Sequence, residues 1–354
     1  MIEQLRIAEE FLENEVAPNA NAIDGDEGAL RVALQGLIDR GLMCLRRPAE
    51  YGGPDLDETS FRLFQEAVAR RSGSLAFLQT QHQSAVSMIS KWGSDSVKSR
   101  FLPHVGGEQL LGIGFSQLRR PGEPILKAVR VEGGYRLDGL VPWVTGHTFY
   151  QDFLIGAALP GGESVFGIVP FEDSEVNGGS IVFDGPMRLA AMESPRTMSA
   201  TLTNWLLPDE LTAFEKPAGW LANNDMINVT LQAWFALGCA RAGLDIVWKE
   251  FESRKSDFIE RTWRLLDDEL ARCRTKILAD DPDVGDRLRA RAWAIDLAAR
   301  CAHAGVASSS GAANSIDHDA QRVYREALVY TVSAQTKEIM EATLNRLVDR
   351  GEKG

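Results

Sequence analysis

The chain has 354 residues, 44% of them hydrophobic and 25% charged, with a formal net charge of -12. It is long enough for two or three domains around a sizeable core. Its acidic balance, without any Lys/Arg run, excludes nucleic acid as a partner, because neutralising phosphates needs a basic face. The cysteines Cys44, Cys239, Cys273 and Cys301 form no CxxC pair, so reduced thiols in a cytoplasmic chain are expected. Cys239 and Cys301, in alanine-rich helical patterns, are expected to be buried. The N-terminus lacks the basic start of a signal peptide, and no apolar run is long enough to cross a bilayer, so no membrane is expected.

Residues 1–108 read as an N-terminal helical domain. Apolar residues recur at helical spacing in Leu5, Ala8 and Leu12, then in Leu30, Ala33, Leu34 and Leu37, then in Phe61, Phe64 and Val68. Between the second and third sets, Pro48-Ala49-Glu50-Tyr51-Gly52-Gly53-Pro54 marks a turn that needs unusual backbone angles.

Residues 109–208 read as a middle β domain. Short β-branched and aromatic runs punctuated by glycine suit a small antiparallel β-barrel or sandwich. Gly112-Ile113-Gly114 has no third glycine and opens no helix, so it is not a dinucleotide fingerprint. Gly133-Gly134 and Asp138-Gly139 read as hairpin-type turns around a short strand, after which the chain runs extended from Leu140 into Gly146. On a strand Trp143 and Thr145 point to one face. An aromatic plane beside a hydroxyl suits a flat heteroaromatic cofactor with hydrogen-bonding edges. A core Trp beside a strand Thr is the plainer alternative.

Residues 209–354 read as a C-terminal helical bundle, which makes the whole chain α+β. Asn224 to Phe251 is apolar around most of its circumference, as an inner bundle helix is. A polar helix over Arg254 to Leu278, a break at Asp280-Asp281-Pro282-Asp283, a helix over Leu288 to Val306 and a loop at Ser308 to Gly311 follow. The last helix is expected from Asp319 to Val348, with Ile339, Thr343, Leu344 and Leu347 as its apolar stripe.

Several of these stretches, in this order, resemble the acyl-CoA dehydrogenase superfamily over nearly the whole chain. The Pro48 to Gly53 turn, the Gly93, Lys98, Leu102-Pro103 and Gly107-Glu108 series, and Arg322-Val323-Tyr324-Arg325-Glu326-Ala327 follow its motifs. Trp143-Val144-Thr145 matches its tryptophan-isoleucine-threonine strand, with Pro142 at a lysine position. The resemblance implies FAD as cofactor, with Trp143 packed on the flavin and Thr145 bonding the N5/O4 edge. It places Ser116 and the backbone of Leu118 at the pyrimidine edge, and Thr336 near the FAD ribose and phosphates. A turn hydroxyl and an ordinary helix threonine are the plainer readings of Ser116 and Thr336. The resemblance also implies a small-molecule substrate of acyl-thioester type and a homo-oligomer, dimer or tetramer.

The departures from the family bear on chemistry. The glycine-serine-aspartate triplet is missing after Pro121, and Arg119-Arg120 stand where the family has an acid. Two guanidinium groups there would grip a phosphate or a carboxylate, with solvated surface arginines as the default. Both family base positions are empty: Ala334 takes one and Asn228 the other, and neither accepts a proton. The catalytic residues are therefore unknown. Asp225 is the nearest carboxylate in sequence, with a surface helix cap as its alternative role. His147 would reach the ring edge or be a solvated turn residue, and no metal-ligand spacing occurs. The family's FAD-diphosphate arginine has no clean counterpart around Arg254 to Arg261. The expected function is an FAD-dependent oxidoreductase passing a hydride from a substrate C–H to flavin N5. The alternatives are a flavin monooxygenase on the same scaffold and a homologue that has lost its chemistry and serves as a subunit or binding module.

Overall fold

The computed structural model describes residues 2–54, 56–279 and 281–348; Asp280, in the acidic break, lies outside them. The N-terminal helices are α1 (Glu3–Phe11), α2 (Ala20–Gly25), α3 (Glu27–Asp39), α4 (Glu58–Arg71), α5 (Gly73–Trp92) and α6 (Asp95–Phe101). The three expected apolar sets are buried in one core. Side-chain caps start the later helices: Asp57 accepts the amide of Ser60 at 2.9 Å and Ser72 that of Leu75 at 3.2 Å. In the turn before α4, Gly52 has φ +79°, and a Cβ on Gly53 would lie 1.6 Å from the carbonyl oxygen of Arg47. Only glycine fits there.

The strands are β1 (Leu111–Gly114), β2 (Leu126–Val131), β3 (Gly134–Val144), β4 (Asp152–Ala158), β5 (Ser164–Pro170), β6 (Ser174–Val176), β7 (Gly179–Phe183), β8 (Met198–Pro208) and β9 (Thr212–Lys216). They form one sheet in the order β6-β7-β8-β3-β2-β4-β5-β9, with β1 paired to β4. The pairings are antiparallel except that β1 and β2 each run parallel to β4. The β2–β3 hairpin supplies the long crossover that the β1–β4 parallel pair requires. Two features differ from expectation. The β region continues past 208 through β9, and helix resumes only at Trp220. Asp138-Gly139 is not a turn: β3 passes through it with a register shift against β8. Gly139 has φ +132° with no room for a Cβ against Ile125, and the Asp138 carboxylate accepts the Asn204 amide at 2.6 Å in place of a ladder bond. The signal for a turn here marks a bulge.

The C-terminal helices are α7 (Trp220–Ile227), α8 (Ala233–Arg254), α9 (Asp257–Leu278), α10 (Val284–Ser309), α11 (Asp319–Val332) and α12 (Lys337–Val348). As expected, α8 is the buried inner helix, and Cys239 and Cys301 are buried thiols. The continuous helix expected from Asn224 is instead broken between α7 and α8. There the Asn228 side chain donates to the carbonyl of Asn224 at 2.8 Å, competing with the next helical turn. The last helix is likewise broken at Ser333 to Thr336, where Ala334 takes φ +45°. Conversely, Ser308 and Ser309 stay helical, each hydroxyl donating back to the carbonyl of Gly305. On α12, Ile339 and Thr343 are buried while Leu344 and Leu347 are exposed.

Buried polar contacts lock the layers together. Glu326 of α11, fully buried, accepts from Arg322 and from the amide of Gly73 at the start of α5, each at 2.9 Å. His82 of α5 accepts the amide of Leu111 of β1 on Nδ1 at 2.9 Å, and burial pulls its pKa down to about 3. No helix among the described residues is long and apolar enough to cross a membrane.

Candidate functional site

A cavity of about 1630 Å³ opens where the three layers meet. The ends of β1 and β3 supply its β wall, α4 and α5 a second wall, and the α7–α8 and α11–α12 breaks a third. Strand β3 delivers Trp143 and Thr145 into this one space. The indole is 46% exposed, so its ring belongs to the cavity and not to the core. Thr145 is buried, and its hydroxyl shares a hydrogen bond of 2.9 Å with that of Thr197, which also lines the cavity. Each hydroxyl has more than one hydrogen-bonding position, so the pair retains capacity for a ligand.

Ser116 begins a 3-10 turn (Ser116–Arg119) directly after β1. Its Oγ is buried in the cavity lining and has no hydrogen-bond partner. A buried hydroxyl left unpaired is costly unless a ligand or water satisfies it. Gln117, which the sequence reading passed over, anchors the turn by donating to the carbonyl of Gly156 at 2.7 Å. Leu118 does not line the cavity: its amide donates to the carbonyl of Phe115 at 3.1 Å and its side chain packs on the core.

Arg119 and Asp225 form a bidentate pair across the cavity mouth, at 2.7 and 2.8 Å. This corrects both default readings. Arg119 is not a free surface arginine, and Asp225, midway along α7, caps no helix start. Their side chains are 26% and 14% exposed, and the planar guanidinium fits a carboxylate in this geometry. Arg120 lines the cavity with its side chain exposed.

Asn228, in the α7–α8 break, and Ala334, in the α11–α12 break, both line the cavity. One buried guanidinium joins the breaks. Arg291 of α10 donates to the carbonyls of Val229 at 3.0 Å and Ser333 at 2.6 Å, and burial draws its pKa down to about 10.

The remaining candidates lie elsewhere. Thr336 caps α12, its hydroxyl accepting the amide of Ile339 at 3.4 Å, and is outside the cavity lining. His147 is half-buried and does not line Trp143's cavity. It lines a separate hollow of about 400 Å³, between Phe171 and Phe183 at 5.5 and 5.4 Å, and burial lowers its pKa. Among the described residues no group of three His, Cys, Asp or Glu could hold a metal ion.

A flavin ring fits these residues on three counts: an exposed indole plane, an orphaned hydroxyl at Ser116 and the Thr145–Thr197 hydroxyl pair. The fit concerns the ring alone, since Thr336 is occupied as a cap and Arg254 pairs with Glu250 at 3.1 Å.

The family model "Acyl-CoA dehydrogenase, N-terminal domain" matches residues 3–108. The chain is similar to a 3-(aryl)acrylate reductase of Clostridium sporogenes, 23% identical over 365 residues covering 96% of each chain. It is also similar to the mitochondrial isovaleryl-CoA dehydrogenase of Oryza sativa subsp. japonica, 26% identical over 67% of this chain and 60% of that one. Among solved structures, butyryl-CoA dehydrogenase from Megasphaera elsdenii has a TM-score of 0.81 over 98% of this chain and 97% of that one, at 19% identity. An acyl-CoA dehydrogenase from Geobacillus kaustophilus gives 0.80 over 98% of both chains, at 16% identity.

Proposed function

Since the chain belongs to the acyl-CoA dehydrogenase superfamily, we propose that it is an FAD-dependent oxidoreductase acting on a small acyl substrate, an acyl thioester by family precedent. The observation that carries this reading is that the unpaired Ser116 Oγ and the exposed Trp143 ring line one cavity. When bound, the flavin supplies a hydride acceptor at N5. Trp143 holds the ring plane, Ser116 donates to its polar edge, and the Thr145–Thr197 pair stabilises charge at the edge being reduced. The remaining walls come from α4, α5 and the two helix breaks.

The proton side of the reaction is where this chain departs from its relatives. The carboxylates lining the cavity are Glu58 and Asp225, and arginines hold both: Arg46 and Arg62 on the first, Arg119 on the second. Neither carboxylate stands in the cavity without a guanidinium partner. With Ala334 and Asn228 also facing the cavity, a second reading gains support, in which the bound group would supply oxygen chemistry and no residue of this chain need take an α-proton.

Three further properties are part of the proposal. Tyr324, Leu328 and Val332 on α11 and Met340, Leu344 and Leu347 on α12 are exposed apolar stripes, which support a homo-oligomer packed through these helices. The four thiols are all unpaired, which supports a reducing, cytoplasmic setting. The test is the purified protein's absorption spectrum followed by anaerobic addition of an acyl-CoA. Flavin bands that bleach support the dehydrogenase. Bands that persist, with reduced flavin that reoxidises rapidly in air and hydroxylates a substrate, support the monooxygenase. A colourless protein that takes up no added FAD refutes both.

A further inference from the structure

The cavity's charge is opposite to that of the chain as a whole. Seven arginine or lysine side chains line it against two carboxylates, in a chain of net charge -12. The excess is concentrated on the wall made by α4, α5 and the turn before α4. Arg46 and Arg62 both contact the single carboxylate of Glu58, the first at 2.9 Å, and both guanidinium groups lie on the Phe61 ring, at 4.8 and 5.3 Å from its centroid. Two cations sharing one anion leave a unit of positive charge in a partly desolvated place. Glu58 is the most exposed member: its side chain is 53% exposed, against 25% for Arg46 and 12% for Arg62.

The α5 face beside these arginines is polar as well. Seven of the ten α5 side chains lining the cavity are polar, among them Thr80, Gln81, Ser84 and Ser87 at helical spacing. Arg46 donates from Nε to Ser87 Oγ at 2.7 Å. Arg62 donates to Gln65 at 2.7 Å, and Gln65 in turn donates to Thr80 at 3.1 Å. An alkyl chain laid against this wall would strip water from hydroxyls, amides and guanidinium groups and return no hydrogen bonds.

We propose that the acyl group this cavity accepts carries a second carboxylate at the end remote from the reacting carbons, received by Arg46 and Arg62 in place of Glu58. The inference rests on the reading of the cavity as an acyl-substrate site. A carboxylate is favoured because each guanidinium already donates one N–H to a different oxygen of one carboxylate, Glu58, so that the two arginines together bracket the group. The substrate carboxylate takes the position between the two arginines, Glu58 swings to solvent, and the hydroxyls of the α5 face bond the polar end.

The experiment is calorimetric titration of the flavin-loaded protein with matched pairs: succinyl-CoA against butanoyl-CoA, and adipoyl-CoA against hexanoyl-CoA. Within a pair only the terminal carboxylate differs. The expected result is dicarboxylic binding at least tenfold tighter in one or both pairs, the worth of about one charge-assisted contact. Arg46→Gln lowers that preference severalfold with Arg62 still in place, and Arg46→Lys, which keeps the charge, restores part of it. Glu58→Gln, which deletes the internal competitor, tightens dicarboxylic binding severalfold, and this opposite sign separates recognition from general damage. Equal or weaker binding of the dicarboxylic member, or failure of every thioester to bind, overturns the inference. So does coenzyme A alone showing the same dependence on Arg46, because the arginines would then serve the carrier's phosphates. A yellow protein without the preference refutes this inference alone, whereas a colourless one refutes the reading beneath it.

Discussion

Trp143→Ala is expected to yield a protein that folds but no longer holds its flavin. The indole stands at the end of β3 with 46% of its surface exposed, so little core packing is lost and the apo-protein's melting temperature should move little. The ring shares the cavity wall with Ser116 and Thr145. Removing it should weaken FAD binding by roughly 10- to 100-fold, the value of a contact of about 2 kcal/mol. Flavin-to-protein ratio after purification, and titration of the apo-protein with FAD, read this directly. Trp143→Phe should fall between the two. Full flavin content in the alanine variant would remove the β3 wall from the site.

The largest pH effect should come from His82. In the fold its ring is buried and neutral, with a pKa near 3 against an ordinary 6.5, and it accepts the amide of Leu111. The unfolded chain therefore binds one more proton than the folded one between those two values, and stability falls as pH falls through that window. At pH 4.5 this group alone removes about 3 kcal/mol relative to pH 7. His82→Asn keeps an acceptor for the Leu111 amide and cannot be protonated. Urea unfolding at the two pH values should show the wild type losing about that much more than the variant. An equal loss in both would place the acid sensitivity elsewhere.

How far the sequence could be read follows from which forces are local. Helical spacing in Leu30 to Leu37 and Phe61 to Val68 reports burial on one face, and those residues are core. The layer order of helices, strands and helices was legible in the same way. The breaks before α8 and before α12 were not, because apolar periodicity continues across Asn228 and Ala334 while the chain turns. What stops the helices is an asparagine side chain and a distant guanidinium. The short strands β6, β7 and β9 carry too few residues for alternation to show. In the site, Trp143 and Ser116 were marked by local motif. The pairing of Arg119 with Asp225, 106 residues apart in sequence, and the meeting of Arg46 with Arg62 across Phe61 are products of tertiary folding. Thr336 and His147 show the converse: a match in sequence position, with the side chain engaged elsewhere.

Arg291 has a consequence for how the cleft behaves as a body. Its two donors hold interruptions that belong to different helix pairs, so α7–α8 and α11–α12 are riveted at one point and cannot spread independently. A ligand leaning on either interruption strains the other, and the gauge of the opening is set by a side chain that is itself only 2% exposed. Replacing Arg291 with methionine should let both interruptions breathe, seen as faster amide hydrogen exchange at residues 228–232 and 333–336 together, with the distant β sheet unaffected.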